Sequence, residues 1–143
     1  MISTSEVVAK ALEWLDTPWI HNQSSKHLGA DCVGFLWGLG SELGLELGKL
    51  KNYKRIPRGD ELLNELSKWL TRDDTLQVNA GVVLAFDAQF LSVRAKPQAR
   101  HVGLAISETH LIHAVYGKSI QVTVIGNNFD KISALYRIPG VKY

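Results

Sequence analysis

Apolar positions near the start of the chain recur at helical spacing: Val7, Val8, Ala11, Leu12 and Leu15 share a face behind Ser3, Thr4 or Ser5 as the candidate N-cap. The pattern predicts an amphipathic helix over Ser5 to Leu15. Asp16-Thr17-Pro18 ends it, because the proline ring disfavours helical geometry in the residue before it. A polar loop follows through His21-Asn22-Gln23-Ser24-Ser25 to Gly29. From Asp31 the period is helical again, with Cys32, Phe35, Leu36, Leu39 and Leu43 on one face and Gly44 as the stop. Cys32 thereby falls in the first turn of a helix that a loop rich in hydrogen-bonding groups feeds. After a basic connector, Lys49 to Arg58, Asp60 is the expected cap of a third helix whose stripe is Leu62, Leu63, Leu66, Trp69 and Leu70.

The period then changes. Gly81 to Phe86, Val102 to Ile106, His110 to Val115, Ser119 to Ile125 and Ile132 to Ile138 are short β-rich runs. Ser107-Glu108 and Tyr116-Gly117-Lys118 read as turns between them, and Asp87 to Arg100, with Arg94, Lys96 and Pro97, as a mobile loop. Helices first and strands afterwards predict an α+β domain, its helices packed on a central antiparallel sheet.

The length of 143 residues, with 45% hydrophobic, suits one domain with a real core, and no repeat or linker divides it. A net charge of +2, scattered along the chain, argues against a nucleic-acid partner. The polar start carries no secretory signal, and no apolar run approaches the roughly 18 to 20 residues that cross a bilayer. Synthesis in the cytoplasm and no membrane insertion are therefore expected. The single cysteine excludes an internal disulfide and the paired-cysteine zinc sites.

That cysteine has company suited to chemistry. A thiol attacks an amide as thiolate, so it needs a depressed pKa, an imidazole partner, or both. The first turn of a helix favours negative charge on sulfur and offers N–H groups to an oxyanion. His101 opens one strand run and His113 lies on the next, so two antiparallel strands joined near Ser107 to Thr109 bring both imidazoles to one face, one orienting the other. His110 falls on the opposite face of its strand. His21 and His27 lie in the loop before Cys32, and His21 is a candidate substrate contact. A mixed zinc shell of Asp31, Cys32, His101 and His113 is the rival use of these groups, but no ligand pairing or HExxH spacing supports it, and neither metal nor other cofactor is expected.

At this point the residues resemble a known family. Ala30-Asp31-Cys32-Val33-Gly34-Phe35 is similar to the nucleophile segment of the NlpC/P60 cysteine peptidases. His101-Val102-Gly103-Leu104-Ala105-Ile106 resembles the strand carrying their catalytic histidine, Leu111-Ile112-His113-Ala114 their third polar residue, and Gly81 to Phe86 the strand before. The resemblance spans most of the chain in order. It implies a papain-like core and hydrolysis of amide bonds in peptidoglycan stem peptides, often between D-glutamate and diaminopimelate. By the same carry-over Cys32 is nucleophile, His101 base and acid, and His113 orienter, with Asp31, Trp19 and His21 as substrate contacts. Trp19-Ile20-His21-Asn22-Gln23 and the absence of a signal or wall-binding module look most like the phage and gene-transfer-agent branch, whose members would reach the cell wall on a tail or similar delivery proteins. Two positions depart from the family: Trp19 stands where many relatives have tyrosine, and Val33 where they have serine. Two other readings stay open, a catalytically silent structural or binding protein of a tail tip, and an amidase or acyltransferase acting on another small substrate.

Overall fold

The computed structural model describes residues 1–47, 60–92, 94 and 98–143. The connector Lys49 to Arg58 lies outside the described residues, as do 93 and 95–97 within the segment read as a loop.

The first helix, α1 (Thr4–Leu12), follows a two-residue strand, β1 (Ile2–Ser3), and Ser3 caps it by accepting the Glu6 N–H at 3.1 Å. It stops short of the expected Leu15. The backbone tightens there into three-residue turns, Trp14 N–H to Ala11 and Leu15 N–H to Leu12, and Asp16 enters the left-handed region at φ 69°. Burial of Trp14 sets this turn: its ring packs edge-on to Phe35 and its indole N–H donates to Glu42 at 2.6 Å. Two short strands, β2 (Ser24–Ser25) and β3 (Gly29–Ala30), pair across the loop that leads to α2 (Cys32–Glu42). Gly44, at φ 72°, ends that helix as expected. The third helix is α3 (Glu61–Trp69), with Leu62 and Leu66 inward; Asp60 precedes it without a side-chain capping bond.

The sheet has six strands in the order β4 (Thr71–Arg72), β9 (Ile132–Arg137), β5 (Val83–Asp87), β6 (Ala99–Ala105), β7 (His110–Ala114) and β8 (Ile120–Val124). All five pairings are antiparallel. Val83, Ala85, Val102, Leu104 and Ile112 meet the helices on one face. Leu84, Phe86, Ala105, Leu111 and Leu135 form a smaller core on the other. Burial on both faces explains why β5 reads as an unbroken apolar run instead of an alternating one. Strand β6 begins at Ala99, so the segment read as a loop ends in sheet, and it starts with a short 3-10 helix over Ala88–Phe90. A last strand, β10 (Val141–Lys142), pairs in parallel with β1 and joins the two ends of the chain.

Candidate active site

Two structural joints set the position of Cys32. The first is the cap of its helix. Asp31 has extended backbone, and its two carboxylate oxygens accept N–H groups from opposite directions, Gly34 in the helix and Asn22 in the loop, both at 2.8 Å. Ser24 donates its hydroxyl to the Gly34 carbonyl at 2.5 Å. This packing leaves no room at position 34, where a Cβ would lie 2.0 Å from the Gln23 carbonyl oxygen. The loop is therefore fastened to the first helical turn, and Cys32 opens that turn, half-buried.

The second joint is a gap in the sheet. Strands β6 and β7 pair at Leu104↔Ile112 and Ala105↔Leu111. Ala105 N–H donates across to Val82 beyond β5, so by the alternation of an antiparallel ladder the Val102 N–H points to the β7 side, past the recorded pairing. That N–H is directed at the Cys32 sulfur, as are the backbone N–H groups of Val33 and of Cys32 itself. The sulfur thus sits against the strand residue that follows His101.

His101 and His113 occupy the sheet face opposite the helices. The His101 Nε2 and His113 Nδ1 atoms are 2.7 Å apart, with the rings nearly edge to face at 72°. On its far side His113 Nε2 meets the Thr123 hydroxyl at 2.9 Å. Phe90, from the 3-10 helix, lies flat over His101 with ring centres 6.1 Å apart and also leans on His113, while Phe86 flanks His101. Both imidazoles are buried.

Burial decides the charge state of all three groups. It pushes the Cys32 thiol up to about 12, the neighbouring Asp31 carboxylate acts in the same direction, and the three N–H groups oppose without overcoming them. It takes His101 down to about 3, with His113 contributing, and His113 to about 4. The activation expected from a helix N-terminus is therefore outweighed in the resting protein. At neutral pH the site holds a neutral thiol and two neutral imidazoles. His101 Nδ1 is the ring nitrogen not engaged with His113.

The remaining candidates gather in the loop before Cys32. Trp19 donates its backbone N–H to Lys118 and its neighbours bond Ala30, which ties this loop both to the β7–β8 turn and to β3. Its ring meets Tyr116 edge-on at 4.7 Å and stacks at 6.5 Å on His21. His21 Nδ1 lies 3.8 Å from an Asp31 oxygen. Asp31 itself is almost fully buried and serves the loop and the helix with both oxygens. His110 bonds Thr109, away from the pair, and His27 lies on the loop with φ 67°. Among the described residues no group of three or more His, Cys, Asp or Glu side chains is placed to hold a metal ion.

The chain resembles solved structures throughout its length. It matches the NlpC/p60 domain of the peptidoglycan hydrolase SagA at 20% identity and a TM-score of 0.67, over 94% of this chain and 98% of that one. An NlpC/P60 family protein from Bacillus cereus matches at 18% identity and a TM-score of 0.68, over 94% of this chain and 40% of that one. The P60 domain of an antigen from M. avium subspecies paratuberculosis matches at 14% identity and 0.65, over 98% and 96%.

The chain has the NlpC/P60 fold.

This is the papain-like α+β arrangement expected from the sequence, helices packed on a central antiparallel sheet. No protein-family model and no curated protein sequence matches the chain. Four neighbours of the site were not singled out in the sequence: Thr123, Gly103, Phe90 and Tyr116. The one usable signal was for Thr123, since counting outward from the Tyr116-Gly117-Lys118 turn puts odd-numbered β8 residues on the face of His113.

Proposed function

We propose that this chain is one catalytic domain, a cysteine peptidase that hydrolyses amide bonds of peptidoglycan stem peptides. Cys32 is the nucleophile, His101 the base and then the acid, and His113 the orienter. The observation that carries this reading is the 2.7 Å contact between His101 and His113 on the strand whose next N–H meets the Cys32 sulfur. A structural domain gains nothing from burying two imidazoles against each other, since burial opposes their protonation. The likeness to a domain of the peptidoglycan hydrolase SagA supports the choice of substrate.

In this reading the thiol proton passes to His101 Nδ1 as sulfur attacks the amide carbon. First-turn N–H groups face the developing oxyanion. His101 then protonates the leaving amine, and the acyl-sulfur bond is hydrolysed by water that His101 activates. His113 holds the ring of His101 through Nε2 and leaves Nδ1 to act. Trp19 and His21 line the approach and contact the substrate, and Asp31, itself buried, fastens their loop to the Cys32 helix. The bond cut is that between D-glutamate and diaminopimelate, and the protein reaches the wall on a phage tail or comparable delivery proteins.

Mass spectrometry of defined muropeptides incubated with the protein tests the reading. Two products whose masses sum to substrate plus water, split at the D-glutamyl bond, are expected. Intact muropeptides after prolonged incubation with folded protein would overturn it in favour of a silent tail-tip protein. Transfer to an added amine without hydrolysis would favour an acyltransferase.

A further inference from the structure

The three side chains His101, His113 and Thr123 form a diagonal row across β6, β7 and β8. In the β7–β8 ladder Leu111 faces Thr123 and His113 faces Gln121, so the His113–Thr123 contact is a diagonal one. The row ends at Thr123, which is half-exposed, whereas both imidazoles are buried.

Neutral imidazoles joined through Nε2 of one and Nδ1 of the other share a single hydrogen, and two polarities are open to them. In the first, His101 donates its Nε2–H to His113, keeps a lone pair on Nδ1, and His113 donates its own Nε2–H to Thr123. In the second every bond is reversed, and His101 carries its hydrogen on Nδ1, where it cannot take a proton from a thiol. The Thr123 hydroxyl, 2.9 Å from His113 Nε2, can close the row in either: it accepts the Nε2–H in the first, its own O–H turning to solvent, and donates to the bare Nε2 in the second. The first polarity is available only because that oxygen can accept.

We propose that Thr123 is a positioning residue, its hydroxyl oxygen accepting the His113 Nε2–H and so holding the row in the polarity that leaves His101 Nδ1 free as base. Without that oxygen the first polarity strands an N–H inside the protein, whereas the second strands only a lone pair, and buried orphan donors are the rarer of the two. Thr123→Val keeps the shape of the side chain and removes the acceptor. Thr123→Ser keeps the acceptor.

Long-range proton–nitrogen NMR on histidine-labelled protein at neutral pH reads which nitrogen of each ring bears hydrogen. Nε2–H on His101 and His113 is expected in the wild type and in Thr123→Ser, and Nδ1–H on both in Thr123→Val. The kinetic part of the test rests on the peptidase reading. With muropeptide as substrate, kcat of Thr123→Val should fall by about tenfold or more with KM unchanged, and Thr123→Ser should retain most of it. Nδ1–H tautomers in the wild type, unchanged tautomers in Thr123→Val, or full turnover by that variant would each overturn the proposal. If the wild type cleaves no muropeptide, the peptidase reading fails, and the tautomers alone decide the role of Thr123.

Discussion

His101 and His113 touch on the diagonal, and a glycine makes that possible. The register of β6 and β7, continued by one residue, sets Gly103 across from His113. A Cβ on Gly103 would lie 3.0 Å from the Cβ of His113 and 2.9 Å from Leu111. The empty space is what lets the His113 ring swing along the strand to meet His101.

Gly103→Ala should therefore push His113 away from His101. Overpacking of this kind costs about 1–3 kcal/mol of stability. The specific expectation is a drop in kcat well beyond that of an alanine introduced at an exposed strand position, with the protein still folded. Steady-state kinetics beside thermal melts check it, and wild-type kcat in a folded Gly103→Ala protein would contradict the geometry.

Acid should destabilise the protein through the histidine pair. His101 is held down to about 3 and His113 to about 4, against an ordinary 6.5. Below about pH 6.5 the unfolded chain binds protons at both while the native fold does not. The stability tied to their neutral state is full above about pH 6.5 and is lost as pH falls towards 4 and then 3. Each proton taken up by the unfolded state alone costs about 1.4 kcal/mol per pH unit. Urea unfolding at pH 7, 5.5 and 4.5 should show a steeper loss for the wild type than for a His101→Gln, His113→Gln double variant. Parallel losses would contradict buried neutral imidazoles.

Asp31 joins two roles that a substitution can separate. Its carboxylate raises the Cys32 thiol pKa, and its oxygens accept the Gly34 and Asn22 N–H groups. Asp31→Asn keeps one acceptor and loses the charge, so its second contact becomes N–H against N–H. Stability should fall by about 1–3 kcal/mol. The thiol should titrate at lower pH than in the wild type, seen as iodoacetamide alkylation profiles displaced towards acid. An unmoved profile would mean that the Asp31 charge does not reach the sulfur.

Much of this fold can be read from residue pattern because its central strands are buried on both faces and its helices carry clear stripes. Val83 to Phe86 and Phe35 to Leu39 are cases in point. Strands of two residues, such as β1, β4 and β10, are too short to show any period and are held by partners distant in sequence. Helix α1 ends early because Trp14 is drawn into the core, a tertiary demand invisible in local propensity. Cys32 stands out as a lone cysteine at a helix start, and His113 follows from strand alternation. Strand alternation puts Thr123 on the face of His113, but a threonine there is ordinary until its distance to an imidazole is known. Phe90 was hidden within a segment that reads as loop. The charge state of the thiol is not legible for a general reason: sequence position reveals the helix dipole, but burial, the larger effect here, depends on what the other strands bring.

Muropeptide cleavage rates of Cys32→Ala, His101→Gln and His113→Ala beside the wild type, each shown to be folded, separate the roles of nucleophile, base and orienter proposed for Cys32, His101 and His113. No detectable cleavage is expected from the first two, and from His113→Ala a residual rate lowered by roughly 10²–10⁴-fold, because an orienter makes no bond to the substrate. Cleavage by Cys32→Ala at the wild-type rate, or a His101→Gln protein faster than His113→Ala, would contradict those roles.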